Sequence, residues 1–408
     1  MAGQSLPKPI RCKAAVCRAS GEPLVVEEIV VDPPRAYEVR IKIVCTSLCH
    51  TDITVWRSNV ASKFPRIIGH EAFGVVESVG EHVSGFVTGD AVVPTFLGQC
   101  DACRSCRSSS PERTTNMCTT LPLSDSLGMR RDGTVRFRDL QGNPLNHCVG
   151  VSSFSQYTVV DVNQLVKLGD GVPPKMACLL GCGASTGVGA AWRLAKVEPG
   201  SSVAIFGLGT VGLAAVQGAK MCGASKIIGV DLNPDKEEVG KSILLSISST
   251  IYLVASRPPK RQRKGMGVTD FINPSQLGET PVSEVIGAMT GGGVDYSFEC
   301  IGVPSVMADA FRSTKMGTGM TIILGFNENN EPVALPSLEL LHGKRVMGAF
   351  FGGIKPKTDI PILAKKCVNN ELELERLVTH EVGLQDINTA FDLLLQKKSL
   401  RCIIWMVK

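Results

Sequence analysis

Short β-branched runs broken by glycine and proline dominate the first part of the chain. Glu38-Val-Arg-Ile-Lys-Ile-Val44 alternates polar and apolar positions, the two-residue period of a strand with one buried face, and Gly74-Val-Val-Glu-Ser-Val79 is a second such β-branched run. This part predicts a mostly β domain. From about residue 184 the pattern changes: Ser202–Phe206 is a continuous apolar strand, a helix starts at Thr210, and Lys226–Val230 is a second strand. Further strands are predicted at Thr269–Ile272, Tyr296–Glu299 and Met320–Leu324. Strands alternating with helices imply a parallel sheet covered on both faces. The tail after Phe351 returns to mixed structure, and no internal repeat is found.

At 408 residues the chain exceeds what one hydrophobic core normally serves, so two domains are expected. The longest nearly uncharged apolar stretch, Ser242 to Ser256, has 15 residues, whereas a transmembrane helix needs about 20. No membrane association is expected. The amino terminus lacks the apolar core and cleavage site of a signal peptide, which predicts a cytoplasmic protein. Fifteen cysteines in a reducing compartment then read as metal ligands and buried small residues rather than disulfides. The net charge of +5 comes wholly from Lys241, Arg257, Lys260, Arg261 and Arg263, so no nucleic-acid partner is expected.

Gly207-Leu-Gly-Thr-Val-Gly212 follows the first strand of the alternating region and opens a helix. In such a turn Gly207 permits the reversal, Gly209 lets a pyrophosphate approach the backbone, and Gly212 lets the helix pack on the strand. Asp231 ends the next strand 19 residues after Gly212. A carboxylate there accepts hydrogen bonds from ribose hydroxyls and repels a 2′-phosphate, which favours NAD over NADP. Two metal constellations precede this turn. Cys100, Cys103, Cys106 and Cys118 give three thiols at C-x-x-C spacing and a fourth, enough for a closed structural zinc. Cys49, His70 with Glu71, and Cys182 are dispersed, and nothing local ties Cys182 to Cys49.

The phrases CTSLCHTD, GHEAFGVVESVG, STGVGAAW, FGLGTVGLAAVQGAKMCGASKIIGVDLNPDK, THEV and LRCII resemble the zinc-containing medium-chain alcohol dehydrogenases, most of all their plant alcohol-dehydrogenase-like branch. The resemblance runs from about Ile10 to Val407. It implies an α/β fold in which a Rossmann doubly wound parallel sheet domain, 184–350, is inserted in a mostly β GroES-like catalytic domain, 1–183 with 351–408. It also implies two zinc ions per chain, NAD as cofactor, an alcohol or aldehyde as the small-molecule substrate, and a homodimer. Cys49, His70 and Cys182 then match catalytic zinc ligands, Glu71 a carboxylate beside them, and Asp52 the partner that orients the histidine. Thr51 matches the hydroxyl that takes the alcohol proton. His50 and Arg401 match contacts to the cofactor pyrophosphate, Lys236 a residue near the adenosine ribose, Thr186 and Val211 contacts to the nicotinamide, and Phe96 an aromatic of the substrate cleft.

Three departures stand out. Thr54 replaces a histidine that often ends the proton relay, eleven residues rather than a shorter loop separate Cys106 from Cys118, and Pro122 stands where glutathione-dependent relatives carry arginine. A fourth is larger. Joining Gly240 to Lys264 restores a family-like DKEEVGKGMGVTDFINP, so the 23 residues 241–263 read as an anomalous insertion. They are either a retained intron, since Gly240-Lys-Ser242 can be encoded around GTAAGT, or a basic surface insertion. The alternative function follows from it: a noncatalytic zinc-binding protein whose NAD binding the insertion impairs.

Overall fold

The computed structural model describes residues 7–58, 60, 63–108, 115–124, 126–236 and 266–407. The anomalous stretch 241–263 lies outside the described residues. The chain forms two compact units, Met1–Gly189 with Phe350–Lys408, and Ala190–Ala349.

Among the described residues the first unit holds a five-stranded and a seven-stranded sheet. The strand Glu38–Ser47 organises the larger one, pairing antiparallel with Glu71–Val79, Tyr157–Asp161 and Arg401–Trp405. Its alternation buries Val39, Ile41 and Ile43 in a core shared with Val76, Val159 and Ile404. Pairing Ser47 with Glu71 and with Ile403 brings three distant stretches of chain side by side next to Cys49, His70 and Arg401. No helix of the described residues is long and apolar enough to cross a membrane.

The second unit is a six-stranded parallel sheet. Taken in sequence order its strands lie 3-2-1-4-5-6, the doubly wound arrangement. After the partly exposed Ser202 and Lys226 that open them, Ser202–Phe206 and Lys226–Val230 are apolar and buried, as strands covered on both faces must be. The order reverses between Ser202–Phe206 and Tyr296–Glu299, and the glycine turn starts at that point.

His147, which carries no ligand spacing, is fully buried in the first unit against Phe137. Its Nε2 accepts the Arg136 amide at 3.0 Å, and its Nδ1 has no partner. Burial, with the Arg136 and Arg66 charges, pushes its pKa down to about 3. The unfolded chain therefore binds a proton near the ordinary histidine value of 6.5 that the folded chain refuses until pH approaches 3. Stability is lost as pH falls through that window, by about 1.4 kcal/mol per pH unit from this one group. His147→Gln should flatten the slope of unfolding free energy against pH by about one proton between roughly pH 4 and 6, measured by urea unfolding. An unchanged slope would contradict the buried neutral state.

Candidate functional site

Cys49 caps the helix His50–Trp56 in extended conformation, and its amide donates to the Asp52 carboxylate at 3.0 Å. The other Asp52 oxygen meets His70 Nδ1 at 2.8 Å. One fully buried carboxylate thus fixes both the cap and the histidine ring. With Nδ1 as donor to Asp52, Nε2 is left as a lone-pair donor, and Nε2 is a buried atom without a hydrogen-bond partner. Cys182 follows the turn Cys178–Gly181 and precedes the helix Gly183–Gly189, with φ −154° and ψ −90°. Ligand atoms of Cys49, His70, Glu71 and Cys182 all lie within 4.8 Å of one another.

Glu71 is already engaged. It receives Arg401 Nε at 3.0 Å, Arg401 Nη2 at 2.9 Å and the Gly183 amide at 3.0 Å. A Cβ at 183 would stand 2.4 Å from Arg401 Nη2 and would displace the guanidinium from its place on Glu71. The fully buried Glu71 and Arg401 balance each other's charge, which leaves Cys49, His70 and Cys182 as the donors for a cation. Two thiolates neutralise a divalent ion, and Cys₂His leaves a fourth position open. The Cys182 hydrogen bond, aided by the Arg401 charge, holds Cys49 well below the usual thiol range, while that same contact and burial push Cys182 up. The residues present therefore fit zinc.

Arg401, expected on a pyrophosphate, sits inside this cluster, with Nη2 also 3.3 Å from Cys49 Sγ. His50 and Thr51 are exposed on the first turn after Cys49, and Thr51 Oγ1 lies 3.9 Å from Cys49 Sγ. Thr186 is on the helix that follows Cys182 and donates to its carbonyl at 2.9 Å. The Phe96 ring meets His70 edge-on, with centroids 6.2 Å apart. Behind it stands Phe351, 5.0 Å from Phe96. Sequence reading missed Phe351; its signal is Phe350-Phe351-Gly352-Gly353, an aromatic pair running into glycines.

Cys100, Cys103, Cys106 and Cys118 also place their sulfurs within 4.8 Å of one another. Amides of Cys103, Cys106 and Leu121 point at Cys100, Cys103 and Cys118 Sγ at 3.3, 3.4 and 3.4 Å.

In the second unit each glycine of the turn has its own reason. Gly207 has φ +89°, a conformation that disfavours side chains. A Cβ on Gly212 would lie 1.8 Å from the Gly207 carbonyl oxygen, and one on Gly209 meets nothing within 4 Å. Gly209 caps the helix Thr210–Met221, whose first turn carries Val211. The turn thus offers an open helix terminus able to take an anion. Asp231 accepts the Leu208 amide at 2.7 Å and the Asn233 amide at 2.9 Å, so it braces the turn and keeps lone pairs for further donors. Lys236 is half-buried; burial lowers its pKa against the pull of Asp231 and Asp235.

Comparison with known proteins agrees with this geometry. Residues 35–170 match the alcohol dehydrogenase GroES-like domain and residues 210–368 the zinc-binding dehydrogenase domain. Alcohol dehydrogenase-like 5 of Arabidopsis thaliana is 53% identical over 404 residues, 98% of this chain and 97% of that protein. The alcohol dehydrogenase zinc-binding domain protein from Burkholderia ambifaria superposes with a TM-score of 0.83 at 30% identity, over 98% of this chain and all of that one. Benzyl alcohol dehydrogenase from Acinetobacter calcoaceticus gives 0.81 at 26% identity with the same coverage.

Proposed function

The chain belongs to the zinc-containing medium-chain alcohol dehydrogenase family, in its plant alcohol-dehydrogenase-like branch, and on that premise we propose that it transfers a hydride between a primary or secondary alcohol, or the corresponding aldehyde or ketone, and NAD. The observation that carries this reading is the convergence of buried Cys49 and His70 with half-buried Cys182, with His70 Nε2 unpartnered. When bound, zinc would supply Lewis-acid activation of the hydroxyl and nicotinamide would supply the hydride acceptor. Cys49, His70 and Cys182 hold the metal, and Asp52 fixes the histidine tautomer. Thr51 Oγ1 accepts the alcohol proton and, being exposed, releases it to solvent without the histidine that Thr54 replaces. Phe96 gives the carbon skeleton of the substrate an apolar wall beside His70.

The glycine turn and Asp231 bind the dinucleotide, with His50, Thr186, Val211, Lys236 and Arg401 as its further contacts. The cysteine lobe binds the second, structural zinc. A homodimer is supported by the sheet edge Arg345–Gly348, where all four residues are exposed, together with the exposed apolar Leu338 and Leu341 nearby in sequence. We place the protein in the cytoplasm.

The test is alcohol-dependent reduction of NAD by the purified, zinc-loaded chain, alongside titration of NADH by its fluorescence. Absence of both would favour the noncatalytic reading. Asp231→Gly should shift the ratio of NAD to NADP efficiency toward NADP by about tenfold or more, through loss of carboxylate repulsion of the 2′-phosphate. A preference for NADP in the unmodified protein would contradict this role.

A further inference from the structure

The residues Phe350–Gly353 form a turn with three consecutive left-handed conformations: Phe351 at φ +55° and ψ +25°, Gly352 at +58°, Gly353 at +74°. A buried phenylalanine in that region persists only where its surroundings impose it. The imposing groups come from the cysteine lobe. Asn116, two residues before Cys118, donates to the Phe350 carbonyl at 2.8 Å. Lys355 Nζ donates to the carbonyls of Cys106 and Ser108 at 3.0 and 2.6 Å. Gln99, just before Cys100, accepts the Lys357 amide at 2.9 Å and donates to Thr358 Oγ1 at 2.9 Å. These bonds use side-chain amides, an ammonium and carbonyls, and none uses a cysteine sulfur. On its other side the turn rests on the helix that follows Cys182, where a Cβ on Gly189 would stand 2.4 Å from Ile354. Phe351 then packs edge-to-face on Phe96, which faces His70.

We propose that the cysteine lobe positions the wall of the substrate cleft: Asn116 and Lys355 clamp the left-handed turn, the turn holds Phe351 against Phe96, and Phe351 thereby limits the width of the alcohol accepted. The inference rests on the alcohol dehydrogenase reading for its substrate class, while the clamp itself does not. It gives the lobe a second task besides binding its own metal, and makes Phe351 a specificity-determining residue.

The test uses the full zinc-loaded chain and the variants Asn116→Ala, Lys355→Met, Lys355→Arg and Phe351→Ala, with Phe351→Leu should the alanine variant not fold. Amide hydrogen exchange over 350–358, followed by mass spectrometry, should quicken about tenfold or more in Asn116→Ala and Lys355→Met, and less in Lys355→Arg. In Asn116→Ala, Lys355→Met and Phe351→Ala, kcat/KM for 1-phenylethanol relative to ethanol should rise about tenfold or more, with Lys355→Arg close to the unmodified ratio. Zinc content should match the unmodified chain throughout. Unchanged exchange overturns the clamp, and faster exchange with an unchanged substrate ratio overturns the role of Phe351. Loss of a zinc equivalent in Asn116→Ala or Lys355→Met overturns the proposal in favour of bonds that serve the metal alone. If the unmodified protein oxidises no alcohol, the functional reading fails while exchange still decides the clamp.

Discussion

Replacing Cys49 with serine is expected to lower kcat/KM for alcohol oxidation by well over the roughly 100-fold that loss of a residue merely supporting a metal ligand costs. Cys49 supplies one of two thiolates in a set where Asp52 and Arg401 are already committed around it. A serine hydroxyl stays protonated at neutral pH and is a far poorer zinc donor, so the charge that balances a divalent cation is lost. Arg401 Nη2 also loses the sulfur 3.3 Å away and keeps only its Glu71 pairing among these two anions. The glycine turn and the Asp231 bonds that brace it are left unchanged by the substitution, so NADH should still bind. Metal analysis should find one zinc equivalent fewer, with the melting temperature little changed. Activity near that of the unmodified protein would remove Cys49 from the ligand set.

The same cluster shows which features a sequence can reveal. The parallel sheet and its glycine turn were legible because their signals are local. An apolar strand, three glycines at fixed spacing and an acid at the end of the next strand lie within thirty residues, 202–231, and Gly212 answers to a contact made inside that stretch, the Gly207 carbonyl. The cysteine lobe was legible for a similar reason, three of its thiols falling within seven residues. The set Cys49, His70 and Cys182 was not legible by spacing, since strand pairing in the larger sheet brings its parts together, and only the family resemblance joined them. The Glu71–Arg401 pair spans 330 residues and leaves no periodic trace. Arg401 therefore read as a residue for phosphate alone, whereas its guanidinium neutralises a carboxylate buried beside the thiols. Phe351 was missed because its importance lies in a backbone conformation: phenylalanine before two glycines suggests a turn but does not say that the aromatic itself is left-handed and buried.

Cys103→Ser should remove the other zinc equivalent and destabilise the protein while the Cys49 set keeps its metal. The four lobe sulfurs crowd within 4.8 Å of one another. Burial and the neighbouring thiols push Cys106 up to about 12, whereas hydrogen bonds from Thr119 and Cys106 outweigh burial and bring Cys103 down to about 5. Four such thiols cannot all ionise together unless a cation compensates them, and a tetrahedral zinc does so. Removing one ligand then costs the folding free energy that the metal supplies, on the order of 3 kcal/mol or more, or a fall in Tm of roughly 6–12 °C for a unit of this size. Because Asn116, Gln99 and Lys355 tie the lobe to the Phe350–Gly353 turn, the damage should extend beyond the lobe and loosen the preference among alcohols as well. Metal analysis and a thermal melt decide the first part: a single zinc equivalent in the unmodified protein, or an unaltered Tm in the variant, would sink the structural-zinc assignment.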